Sequence, residues 1–536
     1  MYQPFWRPTA LIRYNHLHSF TVRNFSKMGR TYNDAIVALN SLQSNYSIVQ
    51  KIRKSGGRMN EQAMTEMVEW CQKVGYKPSD FNKLNLIHIA GTKGKGSTCA
   101  FISSILSQYA HLQTSQGVES SSEPKISKIG LYTSPHLRFV RERIQINNTP
   151  LSEEQFAKYF FEIWDRLEES ARKSGMDPTD PAGKPIYFRY LTLMAWHTYL
   201  REGVDAAIIE CGIGGEYDST NILDKPIVAG ISSLGIDHVE LLGDSIEQIA
   251  WHKAGIIKPG SIAYTAPQPE AALDVLKRRG EEKGVEVEVA SGHPELAPGK
   301  VQLGLSGDFQ YKNAELAVAI STSFLRARGV ADVPSYANGE PLTEPILRGL
   351  ENTRLAGRCE VRREKNVAWH IDGGHTPESI EATGRWFSSQ PYTRNALDGG
   401  NGKNQVLIFN QQSRDSSVLA RALYSILSAG NCSFTHAVFC TNVTFKEAGY
   451  RPDLVSINAN ATEVEKLSVQ NSLAKTWREM SPDTTVEVKG TIEEAVEYAR
   501  NLASGEGDAM VSVLVTGSLH LVGGLIEVLE TKPLPE

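Results

Sequence analysis

The chain is 536 residues long, 41% hydrophobic and 22% charged, with a formal charge of −5. Its length suits two domains, and the mildly acidic balance argues against a general nucleic-acid or membrane-surface binder. No apolar run reaches the roughly 18 residues of a membrane span. Six cysteines, Cys71, Cys99, Cys211, Cys359, Cys432 and Cys440, lack CxxC spacing. Several sit in apolar runs, so reduced, buried thiols are expected rather than disulfides or a zinc site.

Residues 1–31 carry Arg7, Arg13, Arg23, Lys27 and Arg30 but no acidic residue. This composition suits a presequence for the mitochondrial matrix or inner-membrane surface, with Met28 available as a second start for a cytoplasmic form. An untargeted N-terminal tail is the alternative. An amphipathic helical pattern follows over 34–53, interrupted near Ser44 and Asn45, and another over 59–74. Residues 84–98 read LNLIHIAGTKGKGST: an apolar strand over 86–90, a glycine-rich turn, then a helix over about 99–109. Residues 113–128 are polar and read as a surface loop. Strand-like runs at 128–132, 206–211 and 227–232 then alternate with helix-like runs at 155–174, 189–201 and 246–254. Such alternation predicts a parallel sheet flanked by helices.

The Pro, Gly and Asn of 330–345 mark the approach to a boundary, overlapped by a helical piece at 343–351. A second αβ pattern starts near 353. Its strands are expected at 367–371, 405–409, 436–440 and 511–516, its helices at 417–427 and 492–502, and a glycine-rich loop at 398–404. The fold class predicted is α/β: a P-loop NTPase-like domain with a mainly parallel sheet over 32–352, and a Rossmann-like domain over 353–536. A nucleotide would lie between them.

The turn Gly91-Thr92-Lys93-Gly94-Lys95-Gly96 has the chemistry of a phosphate cradle. Glycines let backbone N–H groups converge on oxygens, and the helix start adds positive partial charge. Lys95 suits the β- and γ-phosphates and Ser97 a magnesium ion. The fit to the common pattern is imperfect, since Ile89 replaces the first glycine and Gly96 separates Lys95 from Ser97. Five further segments end strands with polar residues. GLYTSPHLRFVRERI (130–144) delivers Thr133, Ser134, Pro135 and His136 to a sheet edge, where open αβ folds bind ligands; alone it is a turn. AAIIECGIGGEYDSTN (206–221) ends its strand in Glu210, a carboxylate that needs a cation or a capping role. Beyond the strand near 227, Asp237 and His238 precede Lys253 on a helix. Asp372 follows another strand, placed for a ribose hydroxyl or a buried polar turn. The Thr516-Gly517-Ser518 turn opens a last helix, to hold an anion or simply cap it.

Taken in order, LNSLQSN (39–45), GTKGKGS (91–97), GLYTSPHLRFVRERI, FRYLTLMA (188–195), ECGIGGEYDSTN (210–221), SLGIDHVELLG (233–243), KAGIIKPG (253–260), FQYKNAELA (309–317), AGRCE (356–360), DGGHTPES (372–379), FN followed by RD (within 409–415) and TGSLHLVG (516–523) resemble the folylpolyglutamate synthases, above all the eukaryotic type, within the Mur ligase superfamily. The resemblance implies an ATP-dependent ligase that adds glutamate to reduced folates through an acyl phosphate. It assigns Gly94, Lys95, Gly96 and Ser97 to ATP; Ser134, Glu210 and His238 to magnesium; and a carbamate to Lys253. It places Asn313, Arg358, Asp372 and His375 on the nucleotide across the cleft, with Lys95, Lys253 and His375 in catalytic roles. Ser518 would face the incoming glutamate, and Gln43, Asn45, Thr133 and Pro135 the folate. A monovalent cation such as K+ and a monomeric state also follow, without nucleic acid or stable membrane insertion. Four positions depart from the pattern: Lys93 for a common Asn, Phe309 for His, Gly374 for Ala, and AGRCE without the usual Trp-Pro. Dihydrofolate synthase, which joins glutamate to dihydropteroate, is the near alternative. A non-catalytic ATP-binding relative is the distant one.

Overall fold

The computed structural model describes residues 30–43, 61–115, 126–391, 404–411, 415–446, 467–504 and 510–531. The presequence candidate up to residue 29, Asn45, the rest of the first helical pattern and most of the 398–404 loop lie outside them.

Two sheets organise the described chain. The first contains β1 (Leu86–Ala90), β2 (Ile129–Tyr132), β3 (Ile144–Ile146), β4 (Thr149–Pro150), β5 (Ala206–Glu210), β6 (Val228–Ile231), β7 (Ile262–Thr265) and β8 (Val287–Val289), in the order β4-β3-β2-β5-β1-β6-β7-β8. The second contains β9 (Glu360–Glu364), β10 (Val367–Ile371), β11 (Asn404–Phe409), β12 (His436–Cys440), β13 (Thr485–Lys489) and β14 (Val511–Thr516), in the order β13-β12-β11-β14-β10-β9. Both are parallel except where β3, β4 and β9 run antiparallel at one edge.

Central strands are buried on both faces, as helix-covered parallel sheets require. Alternation divides their side chains between two cores. Ile87 and Ile89 pack under the helices Lys95–Ser115 and Phe309–Ala327, whereas Leu86, Ala207 and Ile209 face Glu153–Lys173 and Tyr187–Glu202. Register places Ile89 beside Glu210 and Ala90 beside Ile231. Three strands therefore end at one level, and their following loops form the site.

Several boundaries move. The helix expected from about 99 begins at Lys95, because the loop's amides already start its first turn, with Thr98 N–H donating to Gly94 O. It runs to Ser115, into the stretch read as loop. Strands β3, β4, β7, β8, β9 and β13 were not expected; all are two to five residues long, too short for alternation to stand out. All six cysteines are buried and unpaired. No helix among the described residues is long and apolar enough to cross a membrane.

The domains meet where the loop after β2 lies on the final helix, Leu519–Thr531. A Cβ on Gly523 would stand 2.1 Å from the Leu137 carbonyl oxygen, so the contact admits only glycine. Arg138 donates Nε to Glu527 at 3.0 Å and also reaches Glu530. Glu527 is only 2% exposed, so removing its partner strands a buried carboxylate. Arg138→Ala is expected to cost about 3 kcal/mol, read from urea denaturation, whereas the exposed pair Arg348–Glu344 should yield well under 1 kcal/mol on the same test.

Candidate active site

The phosphate loop is shaped by contact. Gly91 and Gly94 have φ of +147° and +86°. A Cβ at Gly91 would lie 1.9 Å from Ser232 Oγ, and one at Gly94 2.1 Å from Asn313 Oδ1. The loop is thus pressed between the end of β6 and the helix Phe309–Ala327, which brings Asn313 to the loop from within the first domain rather than from across the cleft. Thr92 and Lys93 donate their amides to Ser233 O, and Lys93 Nζ stands 3.3 Å from Asp237. The unusual lysine is therefore ion-paired. Lys95 Nζ donates to Gly91 O at 3.1 Å, and Lys253 Nζ donates to the same oxygen at 2.8 Å. Burial, and then the Lys95 cation, push the Lys253 amine down to about 7. Ser97 is buried, and its hydroxyl has no protein partner among the described residues.

Glu210 faces this loop. It is 4% exposed, and its Oε2 accepts the Ser134 amide at 3.0 Å. Burial raises its pKa; Lys95, the Ser134 amide, Arg358 and Arg143 pull it back. Its other oxygen takes no protein hydrogen bond, and both lie about 4 Å from a Cβ built on Gly96. A buried carboxylate with an open oxygen, beside a free serine hydroxyl and a phosphate loop, is the donor set a hard cation takes. Ser134 and Glu210 are brought together. His238 is exposed at the start of Val239–Leu242, tied to the loop through its neighbour Asp237. No three His, Cys, Asp or Glu residues among those described form a ready metal cage, so phosphate, hydroxyl and water oxygens must complete any magnesium site.

The second domain supplies the opposite wall. Asp372 Oδ2 accepts from Cys359 N–H at 2.9 Å, and Oδ1 from Gly374 N–H at 2.9 Å and Thr383 Oγ1 at 2.6 Å. Of the two roles left open for it, the described contacts are those of a buried polar turn. His375 Nδ1 lies 2.8 Å from Gly373 O, so that nitrogen carries the proton. Arg358 packs against Gly373, and its charge reaches Glu210 across the cleft. The strand-end loops interlock: Gly517 N–H donates to Gly374 O, Gln411 donates to Gly517 O, and Ser518 caps its helix by accepting from His520 N–H. The capping role of that turn is thus seen directly.

The folate candidates are more dispersed. Thr133 donates its amide to Arg143 O, and Pro135 is exposed. Gln43 is half-buried and donates to Asn40 Oδ1; no hydrogen bond links it to the phosphate loop. Three contributors were missed. Ser232 walls Gly91. Asp218 gathers Ile213 N–H, Thr220 N–H and Thr220 Oγ1 and so holds the turn after Glu210; the Asp-Ser-Thr run is an Asx-turn signature that pointed to it. Arg143 stands beside His136, but nothing in RFVRER distinguishes it from its neighbouring arginines.

Comparison with known proteins points to one family. Residues 357–528 match the family model described as dihydrofolate synthetase, C-terminal domain. A Neurospora crassa folylpolyglutamate synthase is 45% identical over 526 residues, covering 97% of this chain and 95% of that protein. A Saccharomyces cerevisiae folylpolyglutamate synthase is 43% identical over 536 residues, covering 98% and 93%. The fold matches that of a Mycobacterium tuberculosis folylpolyglutamate synthase solved with ADP and AMPPCP, at a TM-score of 0.66 and 21% identity, over 94% of this chain and 100% of that one.

Two outcomes follow from the loop. Gly94→Ala combines a left-handed φ with a clash on buried Asn313, and should weaken ATP binding at least about tenfold by calorimetry. Lys253 has its proton affinity lowered by folding, so the unfolded chain binds more protons between pH 7 and 10.5. Its contribution therefore makes stability rise with pH through that window, and the burial penalty is full below it. Urea midpoints measured from pH 7 to 9 should show this slope in the wild type and a reduced one in Lys253→Met.

Proposed function

The chain belongs to the folylpolyglutamate synthase family, and on that premise we propose that it is an ATP-dependent ligase joining L-glutamate to the γ-carboxylate of reduced folates. The observation that carries this reading is the meeting of a phosphate loop, the open carboxylate of Glu210 and the Arg358 guanidinium at one cleft between two αβ domains.

A carboxylate is a poor electrophile, so it must be activated. A folate carboxylate oxygen attacks the γ-phosphorus of ATP; the P–O bond to the β-phosphate breaks, and ADP leaves with an acyl phosphate remaining. The glutamate amine then attacks the acyl carbon, phosphate departs, and the amine gives up its proton as the amide forms. The protein's part is to position reactants and neutralise charge. Lys95 and the amides of 94–97 receive the phosphates, and Arg358 adds positive charge from the opposite wall. His375 and Asp372 hold the nucleotide side of the second domain, and Asn313 the loop itself. Ser518 faces the incoming glutamate.

Magnesium would be held by Ser134, Glu210 and His238, with the Ser97 hydroxyl as a further ligand, and would neutralise the β- and γ-phosphates. The depressed affinity of Lys253 for its proton leaves a substantial neutral fraction near pH 7, the form that takes up carbon dioxide as a carbamate. A carbamate there would replace one of two cations on Gly91 O by an anion able to support magnesium; a monovalent cation such as K+ is part of the same proposal. The chain acts as a monomer, with residues 1–31 directing one form to mitochondria and Met28 starting a cytoplasmic one.

The match of residues 357–528 to a family model named for dihydrofolate synthetase favours a second reading, ligation of glutamate to dihydropteroate. ADP release and folate mass decide between them. With tetrahydrofolate, ATP and magnesium, mass should rise by glutamyl units only when glutamate is present, and Lys95→Ala should lose about a thousandfold in rate. Conversion of dihydropteroate without extension of tetrahydrofolate would establish the second reading.

A further inference from the structure

The loop between β2 and β3 carries three arginines with different fates. Arg138 is committed to Glu527 and Glu530 of the last helix. Arg141 donates Nη1 to Leu151 O at 3.1 Å. Arg143 closes the turn Val140–Arg143, and its side chain is held by one edge only. Its Nε donates to His136 Nδ1 at 2.9 Å, and its guanidinium carbon stands 5.6 Å above the Tyr187 ring. Its backbone is fixed as well, the carbonyl accepting from Thr133 N–H at 3.1 Å. Among the described residues no carboxylate comes within ion-pair distance of it, and Nη1 and Nη2 have no protein partner.

A half-buried arginine without a counter-charge carries a desolvation cost that a structural role would normally offset with a partner. Here the fork is oriented instead. Arginine can only donate, so His136 accepts at Nδ1, and this bond sets the rotation of the guanidinium plane. The Tyr187 face supports it from beneath. What stays open is the Nη1–Nη2 edge, whose geometry matches a carboxylate through two parallel hydrogen bonds. Consecutive amides of one loop tie Arg143 to the site: Thr133 N–H donates to Arg143 O, and Ser134 N–H donates to Glu210 Oε2, the carboxylate beside the phosphate loop.

We propose that Arg143 clamps the terminal γ-carboxylate of the folate substrate through Nη1 and Nη2, with His136 as the residue that positions it. The inference rests on the ligase reading above. Its physical logic is charge and approach. A carboxylate brought to a triphosphate is repelled, and a fixed guanidinium offsets that repulsion before reaction. Each oxygen gives one lone pair to the fork and keeps another for attack on phosphorus.

The test is binding. Calorimetry would compare tetrahydrofolate with its γ-carboxamide, in which the clamped group is neutral. The wild type should prefer the carboxylate by at least about tenfold, and Arg143→Ala should bind the two within about twofold, with the affinity for a non-hydrolysable ATP analogue unchanged. Arg143→Lys, which keeps charge without the fork, should fall between; it decides by the same ratio if the alanine variant fails to bind nucleotide. His136→Ala should reduce the preference while leaving ATP binding intact. Full discrimination retained in Arg143→Ala, or equal loss of folate and nucleotide affinity in both Arg143 variants, would overturn the clamp. Wild-type protein that extends no folate while converting dihydropteroate would instead overturn the ligase reading.

Discussion

Two ammonium groups converge on one backbone carbonyl. Lys95 and Lys253 both donate to Gly91 O, and little else in this site makes sense without that arrangement. It exists because Gly91 takes a φ open to glycine and lies against Ser232, which turns its carbonyl toward both lysines. Two cations share one neutral acceptor, and the buried one gives up its proton more readily: burial first, and then the Lys95 charge, lower the Lys253 proton affinity to about 7. The site therefore holds an excess of positive charge awaiting anions. Glu210 offsets part of it, and under the proposed function phosphate oxygens would offset the rest.

Glu210 shows the same logic with opposite sign. Its burial alone would favour the protonated form; Lys95, the Ser134 amide, Arg358 and Arg143 hold it toward the carboxylate. Those four groups come from the phosphate helix, the loop after β2, the second domain and the turn before β3. The groups that favour the charged form of this one carboxylate therefore come from both domains and from two loops. Leu355, three residues before Arg358 in the connection between domains, packs beside Gly96 of the phosphate loop.

Much of this was legible in the sequence, for reasons that differ from residue to residue. The central strands were legible because burial on both faces leaves uninterrupted apolar runs such as LIHIA and AAIIE. The short edge strands were not, since a three-residue VEV carries no periodicity. Lys95 and Glu210 were visible as strand-end polar groups. The dual lysine contact was not, because Lys253 lies 162 residues from Gly91 and only the register of β1 and β6 brings their loops together. Family resemblance supplied Asn313 and Arg358, which local chemistry alone did not single out. Asp372 was read two ways, and its contacts within the domain, to Cys359, Gly374 and Thr383, show what it holds in the described chain.

The role of Asp372 has a consequence for Arg358. Cys359 adopts φ +47°, a left-handed conformation unfavourable for a residue with a side chain. The Asp372 carboxylate binds its amide, and Gly373 N–H donates to Gly357 O on the other side of Arg358. Arg358 is therefore gripped by its two chain neighbours, each tied to the loop after β10, and its side chain is free to point across the cleft. A nucleotide contact and a structural contact need not compete at such a residue. Under the proposed function, an aspartate that fixes Arg358 opposite the phosphate loop would shape nucleotide binding through the backbone it holds. The local strain at Cys359 is compatible with a stable fold because the carboxylate that stabilises it is itself buried and fully engaged.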